Sequence, residues 1–139
     1  MRIAVIDGQG GGIGSAVIRR LQEEFGEQIE IWALGTNAIA TAAMMKARAN
    51  RGATGENAII RSVERVDCII GTISVVMAHA MMGEMTQDAA AAIASAPGRK
   101  LLIPLTQENV EVVGVRKDHL PILIDQLVPL LRQELAENV

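Results

Sequence analysis

The sequence has almost no aromatic residues: among 139 residues there is no tyrosine, and Trp32 and Phe25 are the only aromatic side chains. Half of the residues are nevertheless hydrophobic, and much of this content is alanine, isoleucine, valine, leucine and methionine. A chain of this length and composition can bury one core, so we expect a single domain over residues 1–139. The composition favours a buried parallel sheet covered by alanine-rich helices over an antiparallel sandwich.

Other features are also scarce, and each absence excludes a class of protein. Cys68 is the only cysteine, so an intrachain disulfide is excluded, as is usual in a reducing compartment. The longest uncharged stretch, residues 68–83, is too short to span a membrane, and the apolar run before Asp7 is too short for a secretory signal. The formal net charge of −3 gives no electrostatic reason to expect nucleic-acid binding. We therefore expect a cytoplasmic protein that binds neither nucleic acid nor membranes.

Short apolar runs alternate along the chain with segments of helical periodicity, which is typical of a parallel α/β sheet. The predicted strands cover residues 3–6, 29–34, 67–73 and 101–103, with an edge strand at 110–115 and either a strand or a loop within 48–54. The predicted helices cover residues 13–25, 38–47, 59–63, 75–82, 89–94 and 120–135. Thr36 or Asn37, Thr54, Thr86 and Asp118 are expected to cap helices. The pattern predicts a three-layer αβα, Rossmann-like fold with a doubly wound, mostly parallel sheet.

Five glycines are concentrated in the turn that follows the first predicted strand and precedes the first predicted helix. The turn reads Asp7-Gly8-Gln9-Gly10-Gly11-Gly12-Ile13-Gly14. Glycines allow a ligand to approach the backbone closely, and a helix N-terminus attracts anions. The alternative is a tight turn without a ligand, but such a turn needs only one or two glycines. We predict that residues 7–14 bind the phosphate of a small molecule.

The spacing of Gly8, Gly12, Ile13 and Gly14 resembles the G-x-x-x-G-I-G pattern of short-chain dehydrogenases/reductases. The resemblance implies a nicotinamide dinucleotide, NAD(P)-like, with these glycines around its pyrophosphate. The second strand ends in residues 35–37, without the acidic residue that binds the adenosine ribose in dinucleotide-binding proteins. The catalytic Tyr-x-x-x-Lys of that family is excluded because the chain has no tyrosine.

The first half of the chain also resembles the nucleotide-binding half of tubulin-like cell-division GTPases. The resemblance rests on the glycine turn, on the segment Gly35-Thr36-Asn37 and on the loop of residues 51–57. It implies a nucleotide site to which that loop contributes Thr54, Gly55, Glu56 and Asn57. The alternative for the loop is a helix cap and a turn, with Glu56 as a first-turn acid rather than a general base.

The segment Gly71-Thr72-Ile73-Ser74 stands where that family has its glycine- and threonine-rich phosphate loop. Thr72 and Ser74 either contact a phosphate or a base, or Ser74 caps a helix. Asp7 either binds Mg²⁺ or a ribose hydroxyl, or forms a turn. The two separated histidines and Cys68 form no zinc site. The methionines at 77, 81, 82 and 85 belong to the core or to a dimer surface.

The chain as a whole is similar to a small bacterial family of uncharacterised proteins of about this length. The similarity rests on residues 3–14, 33–37 and 52–58, and it implies no particular activity. Three hypotheses follow. The first is a protein that binds a nucleotide, a dinucleotide or another phosphorylated small molecule; the second is a small enzyme acting on a phosphorylated metabolite. The third is a homodimeric interaction protein whose glycine turn is purely structural.

Overall fold

The computed structural model describes residues 1–138 as an alternating series of strands and helices. The strands are β1 (Arg2–Asp7), β2 (Glu30–Gly35), β3 (Arg51–Thr54), β4 (Cys68–Thr72) and β5 (Arg99–Ile103). The α-helices are α1 (Gly12–Phe25), α2 (Ala38–Lys46), α3 (Glu56–Val63), α4 (Gln87–Ser95) and α5 (Leu120–Glu137). Short 3-10 helices follow α1 at Gly26–Gln28 and β4 at Ile73–Val76. A helix thus connects each strand to the next, as parallel pairing requires.

The five strands form one sheet in the order β3-β2-β1-β4-β5, and every neighbouring pair is parallel. The chain builds β1, β2 and β3 outward in one direction and then returns to place β4 on the other side of β1. The order therefore reverses between β1 and β4. In open sheets of this kind ligands bind at the carboxyl ends of the strands beside this reversal. The predicted Rossmann-like, doubly wound fold is confirmed.

Both faces of the sheet are buried, which explains why its strands read as uninterrupted apolar runs. On β1, Ile3 and Val5 face the cluster that contains the apolar sides of α1 and α5, together with Met44 of α2. Ala4 and Ile6 face the opposite cluster, which α3 and α4 cover. These are the three layers of the αβα arrangement. No helix within residues 1–138 is both long and apolar enough to cross a membrane.

Two predicted elements are wrong. The predicted helix at residues 75–82 is absent: after the 3-10 helix the chain runs through turns, with φ at 70° in His79, 58° in Met81 and 56° in Met82. An α-helix cannot contain such angles. The predicted edge strand at residues 110–115 is also absent, and this segment is irregular. Of the alternatives for residues 48–54, the strand is observed, as the edge strand β3.

Of the predicted helix caps, two are confirmed and two are wrong. Asn37 accepts a hydrogen bond from the Ala40 N–H, and Thr86 accepts one from the Ala89 N–H, so both predicted caps are confirmed. The caps predicted at Thr54 and Asp118 are wrong, because the residues that directly precede α3 and α5 are Gly55 and His119. Neither of those two residues provides a side-chain cap.

We predict that Ile70→Ala lowers the free energy of unfolding by about 2–5 kcal/mol, because it leaves a cavity in the central sheet. Ile70 lies on β4 and is 0% exposed. The matched control is Ile39→Ala on α2, where the side chain is 72% exposed and the expected change is within about 0.5 kcal/mol. Urea denaturation of both variants measures the difference. Equal losses in the two variants would contradict the assignment of the core.

Candidate functional site

A narrow cleft of about 200 Å³ opens at the carboxyl ends of β1 and β4, where the strand order reverses. It is lined by Asp7, Gln9, Ile13, Thr72, Ser74, Met81, Leu105, Thr106, Gln107 and Glu108. Ligand pockets usually hold about 300–1,000 Å³, so a ligand of ordinary size extends out of this cleft onto the surface. The position is the one at which parallel sheets of this topology bind their ligands.

A wider and more open depression of about 890 Å³ lies at the opposite end of the sheet, near the starts of β2 and β3. Its walls carry charges of both signs, including Arg19, Glu23 and Arg48, and no residue of the glycine turn contributes to it. Because it lies at the amino ends of the strands, its position does not match a ligand crevice. The smaller cleft is therefore the candidate site.

The glycine turn is held by a carboxylate of the chain itself. One oxygen of Asp7 accepts a hydrogen bond from the Gly8 N–H at 2.8 Å, and the other accepts one from the Gly14 N–H at 2.7 Å. Asp7 is only 8% exposed. Burial raises the pKa of Asp7 above its usual value, the Gly14 and Gly8 donors oppose this rise, and the negative charge of Glu84 adds to it. Asp7 thus ties the end of β1 to the first turn of α1.

The remaining amides of the turn fall into two groups. The Gln9 N–H donates to Oε1 of Glu84 at 2.8 Å, and the Gly11 N–H donates to the Gly8 carbonyl at 2.9 Å. For the N–H groups of Gly10, Gly12 and Ile13, no acceptor is found in the part of the chain that the structure describes. Gly10 and Gly12 are exposed and Ile13 is half-buried. Gly10 follows Gln9 and Gly12 precedes Ile13, and both Gln9 and Ile13 line the cleft, so these donors lie at its rim.

The five glycines of the turn differ in what the fold requires of them. A Cβ at Gly8 would lie 2.5 Å from Oγ1 of Thr36, and a Cβ at Gly14 would lie 2.6 Å from Sδ of Met44. Gly11 has φ at +72°, which favours glycine. At Gly10 and Gly12 the backbone is ordinary, and an added Cβ would meet nothing within 4 Å. Packing and backbone geometry therefore explain three of the glycines and leave Gly10 and Gly12 without a structural reason.

Glu84 is a residue of this region that the sequence analysis did not include. Its Oε1 accepts hydrogen bonds from the Gln9 N–H at 2.8 Å, the Thr36 hydroxyl at 2.7 Å and the Asn37 side-chain amide at 2.8 Å. The Gln9 N–H has the largest effect and lowers the pKa of Glu84; burial opposes it, and the other two donors lower the pKa further. No local sequence signal marks Glu84, because its partners are separated from it by 47 to 75 residues.

Glu84 belongs to the irregular segment that replaces the predicted helix, and we name residues 77–85 the strap. Ala80 and Met85 are buried in the core, whereas Met82, between them, is 92% exposed. Met81 lines the cleft, and its Sδ would lie 2.7 Å from a Cβ at Gly8. The strap therefore runs directly over the beginning of the glycine turn. The predicted methionine cluster is divided, with Met85 in the core and Met82 at the surface.

The strand β4 brings two of the predicted polar residues to the cleft. Thr72 and Ser74 both line it, and the Ser74 hydroxyl donates to Oγ1 of Thr106 at 2.8 Å. Ser74 lies inside the 3-10 helix and does not cap it. Gly71 packs closely against Val75, because a Cβ added at Gly71 would lie 2.9 Å from the Val75 side chain. Residues 105–108, which the sequence analysis did not single out, form the facing wall.

The second predicted loop does not reach the cleft. The strand β2 separates β3 from β1, and none of Thr54, Gly55, Glu56 and Asn57 lines the cleft. The Thr54 hydroxyl donates to Oγ1 of Thr41 at 2.7 Å, the Gly55 N–H donates to the Gly35 carbonyl, and Glu56 lies in the first turn of α3. A Cβ added at Gly35 would lie 2.2 Å from Oγ1 of Thr41, so Gly35 packs directly against Thr41. These contacts join β2, α2 and β3.

Residues 1–138 contain no group of three or more His, Cys, Asp or Glu side chains that could hold a metal ion. Cys68 is buried in β4, and burial raises the pKa of its thiol to about 12. Since the thiolate is the reactive form, this cysteine is inert at neutral pH.

The comparisons with known proteins give one match. The model of a domain of unknown function, DUF3842, matches residues 2–136. No curated protein and no solved structure matches the chain.

We predict that Asp7→Asn lowers the free energy of unfolding by about 1–3 kcal/mol. An asparagine side chain has one acceptor oxygen, so it leaves either the Gly8 or the Gly14 N–H without a partner. The matched control is Asp67→Asn, because Asp67 is exposed and, within residues 1–138, its side chain accepts a hydrogen bond only from the Arg2 N–H. Urea denaturation compares the two, and similar effects would show that the Asp7 bridge does not stabilise the turn.

Proposed function

The chain belongs to the DUF3842 family of domains of unknown function, and we propose that it binds a phosphorylated small molecule at the glycine turn, within one domain of residues 1–139. One observation carries this proposal. Gly10 and Gly12 are glycines that neither packing nor backbone angle requires, and they lie beside N–H groups that have no acceptor among residues 1–138. Within regular structure a glycine is less favourable than alanine by about 0.5–1 kcal/mol, and Gly12 is the first residue of α1. A ligand that contacts the backbone explains glycine at these two positions, because a side chain would block its approach.

The phosphate group binds at the rim of the cleft. The N–H groups of Gly10, Gly12 and Ile13 are its donors, and Gly12 and Ile13 begin the helix α1 of 14 residues. The helix dipole adds roughly half a positive charge at this end. The deeper amides of Gly8 and Gly14 already donate to Asp7, so the phosphate is confined to the outer part of the turn.

The rest of the ligand enters the cleft, whose walls combine carboxylates, hydroxyl groups and apolar side chains. Asp7 and Glu108 contribute carboxylates, Thr72 and Thr106 contribute hydroxyls, and Ile13, Met81 and Leu105 are apolar. Ribose hydroxyls or the amino group of a base match such walls. The ligand class is therefore a mononucleotide or a sugar phosphate.

A dinucleotide fits the cleft less well for two reasons. The volume of about 200 Å³ is small. In addition, the end of β2, where a dinucleotide places its adenosine ribose, is occupied by Glu84, which accepts hydrogen bonds from Thr36 and Asn37. The mononucleotide class is favoured for these reasons over the NAD(P)-like ligand that the glycine spacing implies.

The second candidate function is acid–base catalysis on a phosphorylated metabolite. Asp7 lines the cleft, and burial raises its pKa, which is common for catalytic carboxyl groups. Against this role, both of its oxygens already accept backbone hydrogen bonds. The geometry thus favours binding over catalysis.

We predict that the thermal unfolding midpoint rises in the presence of a mononucleotide or a sugar phosphate. A ligand at 100 times its dissociation constant adds about 2.7 kcal/mol of apparent stability. In Gly12→Val the rise should disappear, because the branched side chain shields the Gly12 and Ile13 amides. The variant should remain folded, since the position is open and its backbone ordinary.

The matched control for that variant is Glu23→Val, which places the same side chain at an exposed position of α1 away from the turn. Normal ligand binding by Gly12→Val would show that the glycine turn is not the site. No stabilisation of the unmodified protein by any nucleotide, dinucleotide or sugar phosphate would favour a structural turn. Light scattering would then test the homodimeric interaction protein.

A further inference from the structure

We propose that the Gln9 N–H, the Thr36 hydroxyl and the Asn37 side-chain amide form a second anion subsite, which the Glu84 carboxylate fills in the free protein. The inference rests on the proposed function, because it assigns this subsite to the same phosphorylated ligand. When the ligand places a phosphate or carboxylate oxygen there, Glu84 leaves and the strap moves away from the turn.

Hydrogen-bond donors of the turn region converge on one oxygen of Glu84. Three donors from two separate loops meet at Oε1 of Glu84, at 2.8, 2.7 and 2.8 Å. Such a group of donors around one oxygen is the arrangement that recognises a phosphate or carboxylate oxygen in ligand sites. For the other oxygen of Glu84, no hydrogen bond is found within residues 1–138. The three donors thus form a compact pocket for one anionic oxygen.

The subsite is also organised without Glu84. The Asn37 oxygen accepts a hydrogen bond from the Ala40 N–H at 2.8 Å, and its amide also donates to the Gln9 carbonyl at 3.0 Å. Gly8, between Asp7 and Gln9, is packed against Thr36. The donors therefore keep their positions when the carboxylate leaves, and an external anion finds them already arranged.

The strap, to which Glu84 belongs, has unfavourable backbone angles. His79, Met81 and Met82 all have positive φ, which is unfavourable for residues other than glycine. The strap's tip is anchored to the cleft through Glu84 and through one longer hydrogen bond, from the Met81 N–H to Glu108 at 3.3 Å. Ala80 and Met85, which lie within the strap, are buried in the core, and backbone hydrogen bonds inside the strap, such as the one from the Met85 N–H to the Ala80 carbonyl at 3.1 Å, maintain its turns. The contacts of Glu84 tie this strained segment to the glycine turn, and their loss lets the outer part of the strap move away from that turn.

The test is a titration of inorganic phosphate followed by the backbone amide signals in NMR. In the unmodified protein, phosphate should shift the Gly12 and Ile13 signals. In Glu84→Ala the vacated donors should bind phosphate about tenfold more tightly, and the Gln9 signal should shift as well. If Glu84→Ala does not fold, Glu84→Gln serves instead, with a smaller gain because the neutral amide still accepts these hydrogen bonds.

The matched control is Glu108→Ala, which removes an equal charge from the neighbouring cleft. Among the described residues, Glu108 accepts hydrogen bonds from none of the three donors. It should give a smaller gain in phosphate affinity and no shift of the Gln9 signal.

If phosphate leaves the Gln9 signal unshifted in Glu84→Ala, or if both variants gain phosphate affinity equally, Glu84 has only a structural role and the subsite is wrong. Gly12 and Ile13 shifts in the unmodified protein would then still support the proposed function. A Gln9 shift in Glu84→Ala without shifts at Gly12 and Ile13 would instead overturn the rim site and leave the subsite standing. Absence of all these shifts would overturn both.

Discussion

The carboxylate of Asp7 fixes the shape of the glycine turn, because its two oxygens join the first and last glycines of that turn through backbone hydrogen bonds. A buried carboxylate is unfavourable by itself, and the donors of a helix N-terminus are among the groups that offset this penalty. The bridge occupies the N–H groups of Gly8 and Gly14. The N–H groups of Gly10, Gly12 and Ile13 are the donors of the turn for which no acceptor is found within residues 1–138.

The sequence predicted those parts of the structure whose causes are local. Apolar runs located four of the strands, and the caps at Asn37 and Thr86 act within three residues of themselves. The strap was mispredicted as a helix because its apolar residues have helical spacing. The contacts of Glu84 that hold the observed conformation reach residues 47 to 75 positions away. A single sequence contains no pattern that indicates such a distant contact. The sequence analysis therefore predicted neither the strap nor the position of the Glu84 carboxylate.

The candidate site shows a similar limit. The number and spacing of the glycines are evident from the sequence, whereas the reason for each glycine is not. The structure distinguishes Gly8 and Gly14 from Gly10 and Gly12. Gly8 is packed against Thr36 and Gly14 against Met44, whereas the positions of Gly10 and Gly12 have room for a side chain. The strand order also could not be deduced from the chain. It brings Thr72 beside Asp7 and places Thr54 beyond β2, which divides the predicted site residues into those at the cleft and those outside it.

The charge of the cleft restricts how a phosphorylated ligand is held. Its lining contains Asp7 and Glu108 and no lysine or arginine, and Glu84 lies beside it. In the proposed site a phosphate at the rim would be bound by backbone donors and the helix dipole, without a neutralising side chain, and this arrangement favours a ligand of low charge. If the strap also has to open, the apparent affinity falls in proportion to the fraction of open molecules. Weak binding of free phosphate and tighter binding of a ligand that also fills the cleft follow from the same arrangement, because only the larger ligand gains contacts that compensate for moving Glu84.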